Sequence, residues 1–243
     1  NAAKRSIAHE DPIMTTALTN WAGNITYAAK TVHTPQTLDE LRAVVTGSRK
    51  LRALGSRHSF NTIADTDEDL VSMRAFNKVI GIDAAARTAT IEGGITYGEL
   101  CPILDDAGFA LHNLASLPHI SVAGAVATAT HGSGDRNGNL ATVISRLKIM
   151  SADGEIRTLK RGDAAFDGAV VNIGALGIVT ELTIDLLPRF EARQHLYLDL
   201  PVADALANFD ELTSSAYSVS LFTLWQGATR AQPGLKSPPL RPD

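Results

Sequence analysis

One cysteine in 243 residues, Cys101, leaves no partner for an intrachain disulfide and too few thiolates for a cysteine-rich metal site. A secreted disulfide scaffold is thereby excluded, and this usage fits a reducing compartment, the cytoplasm. No run of about 18 consecutive apolar residues occurs. The first twenty residues also lack the apolar centre of a signal peptide, so neither membrane spanning nor classical secretion is expected. Positive charge is not in excess: 22 Lys and Arg face 26 Asp and Glu, the formal net charge is −4, and the basic residues are scattered. The concentrated basic surface that grips a phosphate backbone is missing, which speaks against nucleic acid as a partner. Metal-ligand spacing is missing too. His112, His119 and His131 are seven and twelve residues apart, never one helical turn, and no paired carboxylate accompanies them. Asp105-Asp106 and the run Asp65 to Asp69 read as solvated surface, and no metal is expected.

What is present is an ordinary globular composition, 44% hydrophobic and 20% charged. The length suits one large or two small domains, at about 100–200 residues each. Thr37-Leu38-Asp39-Glu40 has the capping-box spacing, and Leu38, Leu41, Val44 and Val45 follow at helical intervals, which predicts a helix from Leu38 to Ser48. Leu51 to Leu54 reads as a strand running into the turn Gly55-Ser56-Arg57-His58-Ser59. Strands are expected over Lys78–Asp83 and Thr88–Glu92. A second capping box, Thr96-Tyr97-Gly98-Glu99, opens a helix that stops at Gly108. Val143 to Lys160 reads as a hairpin about Ala152-Asp153-Gly154, and Gly174 to Leu187 as a buried strand ended by Pro188. Leu206, Phe209, Leu212 and Tyr217 suggest one amphipathic helix, followed by a strand over Ser218–Trp225. The four prolines between Gln232 and Asp243 predict a tail that does not pack. Strands and helices mix without regular βαβ alternation, so the expected fold class is α+β.

Three glycine-bearing segments carry the chemistry: Leu54 to Phe60, Ser121 to Gly134, and Gly174-Ala175-Leu176-Gly177. Small residues let backbone amides approach a ligand, and successive amides in a turn bind pyrophosphate. Taken singly, each segment is equally well read as a tight turn or a close packing contact. No strand-linked Gly-x-Gly-x-x-Gly with a following acidic residue appears, so a nicotinamide-dependent dehydrogenase lacks support.

Order and content of the three segments together resemble the PCMH-type FAD-binding domain of the vanillyl-alcohol oxidase family. The nearest branch is that of the alditol, xylitol and aldonolactone oxidases. Asn20-Trp21-Ala22-Gly23-Asn24, the His58 turn, Ala115-Ser116-Leu117-Pro118-His119-Ile120-Ser121-Val122-Ala123-Gly124, His131-Gly132-Ser133-Gly134 and Ala216 to Phe222 all look like that branch. The resemblance runs from about Asn20 to about Trp225.

The resemblance implies two α+β subdomains holding FAD, followed by the beginning of a cap domain. Expected boundaries are a leader over 1–19, disordered or extraneous, with Met14 a candidate start, then 20–188 for FAD, 189–230 for the start of the substrate domain, and 231–243 for the tail. Ala53, Leu54, Gly55, Ser56, Arg57, His58 and Ser59 would wrap the pyrophosphate, and His58 would bond covalently to the flavin 8α-methyl carbon, since neutral imidazole is a nucleophile near pH 7. Arg57 departs from the family, many of whose members carry glycine there, and its charge would pair with a phosphate oxygen. Ser121, Gly124, Ala129, Thr130, His131 and Gly132 would hold the ribityl chain and pyrophosphate, His131 ordering its loop rather than moving a proton. Ile178 and Val179 would meet the adenine. Ser116 would lie near the isoalloxazine and touch substrate hydroxyls, and Ala115 would leave a path for oxygen. The implied activity is oxidation of the CH–OH group of xylitol, sorbitol or aldonolactones, with O2 as acceptor giving H2O2. Because the base and most hydroxyl-binding residues of that branch lie in the cap, this chain alone is expected to turn over slowly or not at all. A stand-alone flavin-binding module without turnover is the alternative.

Overall fold

The computed structural model describes residues 17–223 and 230–237. Two hydrophobic cores form, and a pair of strands joins them. The smaller core grows from a parallel three-stranded sheet ordered β1-β3-β2, made of β1 (Thr31–His33), β2 (Leu51–Leu54) and β3 (Asp69–Ser72). Between β1 and β2 runs α1 (Leu38–Gly47). Thr37 caps it by accepting from the Glu40 N–H at 3.2 Å, and Leu41 and Val45 turn inward onto Val71 of β3.

The larger core lies under an antiparallel sheet ordered β4-β5-β9-β7-β8. Its strands are β4 (Val79–Asp83), β5 (Thr88–Glu92), β7 (Ile144–Met150), β8 (Ile156–Lys160) and β9 (Ile178–Asp185). β5 buries alternate residues, Ala89 and Ile91, as a strand with one covered face must. The cover is α2 (Tyr97–Asp106) and α3 (Val122–Ala127), whose Leu100, Leu104, Val122 and Val126 pack against Ile144, Leu147 and Leu182. The Glu99 carboxylate accepts from the Thr96 N–H at 2.9 Å, as the capping-box spacing predicts. Phe166 of α4 (Phe166–Val170) joins this core, while β6 (Phe109–Ala110) pairs with β10 (Leu187–Pro188).

The cores meet where β7 ends and β9 begins. Met150 and Ile178 pair across the sheet and pack in the smaller core. Backbone approaches backbone here: a β-carbon on Gly94 would lie 1.8 Å from Met73 O, one on Gly93 2.1 Å from Val179 O, and one on Gly177 2.2 Å from Met150 O. Glycine is the residue that permits such contacts.

The remaining elements are β11 (Arg193–Leu196), β12 (Leu200–Pro201), α5 (Val202–Ala207), α6 (Phe209–Ser214), β13 (Ser218–Phe222) and β14 (Arg230–Ser237). Among the described residues no helix is long and apolar enough to cross a membrane.

Three local expectations are corrected. The strand expected from Gly174 begins at Ile178, because Ile173, Gly174 and Gly177 take positive φ of 54°, 70° and 132°, which an extended strand cannot contain. The single helix through Leu206 and Tyr217 is two short helices broken at Asn208, with Tyr217 beyond both. The proline-rich tail expected not to pack contains β14, which pairs with β11, β12 and β13, and Pro233 lies within that ladder. The rest of the tail, 238–243, and leader residues 1–16 lie outside the described residues.

Candidate functional site

A cleft of about 1020 Å³ opens along the seam between the two cores. That volume is at the top of the range of about 300–1,000 Å³ usual for small-molecule and cofactor sites. One wall is β2 and the turn that follows it, from Ala53 without interruption to Phe60. Facing it is the start of α3 with Ser121, Ala123, Gly124 and Ala125, then Thr128 and Thr130. Gly93 and Gly94 line the cleft from one core, Gly177, Ile178 and Val179 from the junction with the other, and Pro118 and His119 extend the lining.

The turn after β2 presents donors without acceptors. Among the described residues the N–H groups of Ser56, Arg57, His58 and Ser59 donate to no carbonyl and no side chain. Arg57 stands at φ 60°, which bends the turn. Opposite, Ser121 is buried and its hydroxyl has no partner. A β-carbon on Gly55 would lie 3.0 Å from that hydroxyl. Buried polar groups without partners cost about 1–3 kcal/mol each. A run of free amides facing an orphan hydroxyl is a cradle for an anionic, oxygen-rich group such as a pyrophosphate.

His58 lies in the same wall and is enclosed by rings: Trp21 at 4.6 Å between centroids, His119 at 5.5 Å and Phe60 at 5.6 Å. Its Nδ1 is sealed from water and has no hydrogen-bond partner. Burial, and secondarily the neighbouring His119, push the His58 pKa below the ordinary histidine value. The ring is therefore held neutral, with lone-pair character, near pH 7. Cys101, by contrast, is half-buried and its thiol is pushed up by burial, the opposite of a reactive cysteine.

Of the residues singled out from sequence, Ala53, Leu54, Gly55, Ser56, Arg57, His58, Ser59, Ser121, Gly124, Thr130, Ile178 and Val179 line this one cleft. Five do not. Ala115 is packed in the larger core at 8% exposure, and Ser116 beside it is exposed. Ala129 takes φ 52° and donates its N–H to Val126 O at 3.1 Å. The exposed His131 places Nδ1 2.9 Å from Gly132 O, and Gly132 lies against Asn113. Arg57 gives one guanidinium N–H to Thr19 O at 2.9 Å, tying the turn to the segment before Asn20.

Sequence reasoning missed Gly93-Gly94, Arg52, Asn172 and Ile173, all in the lining, whereas the glycine segment it singled out at 174–177 contributes Gly174 and Gly177. The glycine pair had a readable signal, since two glycines directly after a strand mark a close backbone approach. Arg52 had none. Its Nη2 donates to Ile173 O at 3.0 Å, a contact between residues 121 positions apart.

The profile of one protein family, described as FAD binding domain, matches residues 29–160, more than half of the chain. An alditol oxidase of Streptomyces sp. is 49% identical over 216 residues, which cover 88% of this chain and 52% of that protein. An L-gulono-1,4-lactone dehydrogenase of Mycobacterium tuberculosis is 35% identical over 180 residues, 72% of this chain and 42% of the other. The chain thus spans about half the length of the curated relatives it matches. Among solved structures, a cholesterol oxidase from B. sterolicum superposes with a TM-score of 0.78 at 17% identity, covering 91% of this chain and 47% of its own. At that identity the likeness is one of fold.

Proposed function

Since this chain belongs to the FAD binding domain family, we propose that it is the flavin-binding portion of an FAD-dependent oxidase acting on the CH–OH group of polyols or aldonolactones. The observation that carries the reading is the cleft itself, with four unspent amides and an orphan hydroxyl at a glycine-lined seam. The 49% identity to an alditol oxidase supports the polyol class.

In this reading the chain binds and orients, and FAD supplies the capacity to accept an electron pair from the substrate carbon. The Ser56–Ser59 amides take the pyrophosphate. Ser121 and Thr130 serve the ribityl chain and pyrophosphate, with Gly124 leaving room for close approach. Ala129, His131 and Gly132, set back from the lining, order the loop behind them. Ile178 and Val179 serve the adenine end. His58 is the covalent anchor of the flavin. Ser116 contacts substrate, and Ala115 leaves space for oxygen, which is reduced to hydrogen peroxide. The FAD-binding unit is taken as 20–188 and the substrate-side unit as beginning at 189. A cytoplasmic site of action is supported by the single cysteine.

The test is the visible spectrum of purified protein before and after acid precipitation, followed by peroxide release with xylitol, sorbitol and aldonolactones. A yellow protein whose colour stays in the pellet is expected. A colourless protein that takes up no added FAD would remove the reading.

A further inference from the structure

The turn that bears His58 is held from both sides by one short segment. The Trp21 N–H donates to Arg57 O at 2.7 Å, and the Asn20 side-chain amide donates to Ser59 O at 3.0 Å. The carbonyls immediately before and after His58 are thus both bound by consecutive residues. Arg57 adds a third tie by donating to Thr19 O. Asn20 is itself fixed: it is 3% exposed, its Nδ2 donates to Asn24 Oδ1 at 2.8 Å, and its Oδ1 accepts from the Ile25 N–H at 3.1 Å. The Trp21 ring covers the His58 imidazole at 4.6 Å, and His119 lies 6.0 Å from that indole in a stacked arrangement.

Trp21 is nonetheless 54% exposed and belongs to neither core. A large aromatic ring left half in water, with its inner side on His58 and His119, is not there for core packing. We propose that the Asn20-Trp21 turn is the positioning element for His58, fixing its backbone and closing its imidazole from water so that a neutral ring nitrogen is presented for bonding to the flavin. The inference rests on His58 being the flavin's anchor.

The bond so formed balances as follows. A His58 ring nitrogen bonds through its lone pair to the 8α-carbon, and the other ring nitrogen releases its proton. One C–H bond of the methyl breaks, its proton leaving and its electron pair passing into the flavin. Dioxygen takes that pair with two protons as hydrogen peroxide. A protonated imidazole has no lone pair to give, so whatever holds His58 neutral sets how far into acid the bond can form. The titratable and charged groups facing His58 are His119, across the cleft lining, and Arg57, which is turned to Thr19. Opening the Trp21 side admits water, eases protonation and moves the acid limb of bond formation to higher pH.

The experiment adds FAD to flavin-free protein and follows the flavin retained after acid precipitation, as rate and extent, across pH 5.5–8.5. Reversible FAD affinity is measured separately by flavin fluorescence at early times. Parent, Trp21→Ala, Trp21→Phe, Asn20→Ala and His58→Ala are compared. Trp21→Ala is expected to slow bond formation about tenfold at pH 7, the effect of about 1.4 kcal/mol on a barrier. It should also shift the acid limb upward while FAD affinity changes less than about threefold. Trp21→Phe, which restores an aromatic cover, should recover most of the rate. Bond formation in Trp21→Ala at the parent's rate and pH profile overturns the proposal, as does loss of FAD affinity in parallel with the rate, which would mark the segment as merely structural. If the parent retains no flavin, or His58→Ala retains it as well as the parent, the anchor reading fails first and the proposal with it.

Discussion

The Ser121 hydroxyl oxygen lies 2.6 Å from the point where a β-carbon on Gly124 would stand, so the first turn of α3 keeps its inner side open only because residue 124 has no side chain. The same hydroxyl faces Gly55 across the cleft, which puts the two glycine-bearing segments on one atom. Gly124→Ala should therefore lower FAD affinity about tenfold, or about 1.4 kcal/mol. Its effect on folding should be small. Alanine gains about 0.8–1.0 kcal/mol over glycine inside a helix, which offsets the push on a hydroxyl that no hydrogen bond holds in place. Fluorescence titration with FAD beside urea denaturation separates the two, and unchanged affinity would show that the Ser121–Gly124 gap is not part of the cradle.

At Gly94 the neighbour is unyielding. A β-carbon there would lie 1.8 Å from Met73 O and 2.8 Å from Phe76 O, both backbone atoms at the seam of the two cores. Gly94→Ala is expected to lower stability by about 1–3 kcal/mol or more, seen as a lower urea midpoint in the absence of FAD. A midpoint equal to the parent's would mean that the seam relaxes freely.

The contrast between these glycines shows what the sequence made legible. Capping boxes and apolar spacing located α1, α2 and the long antiparallel strands, because those signals are local and each element buries one regular face. The turn from Ala53 to Ser59 was legible for the same reason, being a strand running into glycine. β1 and β3 were not. They are short, and β3 pairs with β1 on one side and β2 on the other, bringing both Thr31 and Leu51 opposite Asp69, a non-local pairing that periodicity along the chain does not register. The breaks at Asn208 and at Ile173-Gly174 are backbone events that apolar spacing does not register. Trp21 and Asn20 were visible as part of a motif, but their hold on the carbonyls flanking His58 exists only in three dimensions.

His58→Ala should bind FAD reversibly yet release it all on acid precipitation. The amides and hydroxyls of the cradle are spread over several segments and do not depend on the imidazole. Loss of all binding would instead show that the ring mainly supports its turn.

The loop from His131 to Gly138 is tied to the segment before β13. Tyr217 OH donates to His112 O at 2.6 Å, and Asn137 Nδ2 donates to Tyr217 O at 3.1 Å and to Ser133 O at 2.9 Å. Ser133 and Ser218 are hydrogen-bonded through their hydroxyls. Tyr217→Phe removes one bond and should cost about 0.5–1.5 kcal/mol. Asn137→Ala removes two bonds, although Ser133 O keeps the one it accepts from Asn113 Nδ2 at 3.0 Å, and should cost more. The order of the two urea midpoints is the check, and the reverse order would place the anchor at Tyr217 rather than Asn137.

His112 gives the fold an acid limit. Both ring nitrogens are sealed from water without a hydrogen bond of good geometry, among Leu111, Val122, Val126, Leu140, Ile144 and Ile184. Burial pushes its pKa below the ordinary value, opposed in part by a backbone contact at Gly138. The unfolded chain takes up this proton near pH 6.5, whereas the folded chain resists it to lower pH. Stability is therefore full above about pH 6.5 and is lost as pH falls from there through the folded pKa. His58 is shifted the same way and adds to the same loss. The lowered carboxylates Asp67, Glu68, Glu99 and Asp153 act in a separate window: their contributions hold above the usual carboxylate range and fade only as pH falls through it. His112→Leu places an apolar side chain in an apolar site. Its urea midpoint should match or exceed the parent's at pH 7.5 and fall less steeply between pH 6.5 and 5, with the part of the slope owed to His58 remaining. Parallel curves for parent and variant over that range would show that His112 takes its proton as readily folded as unfolded.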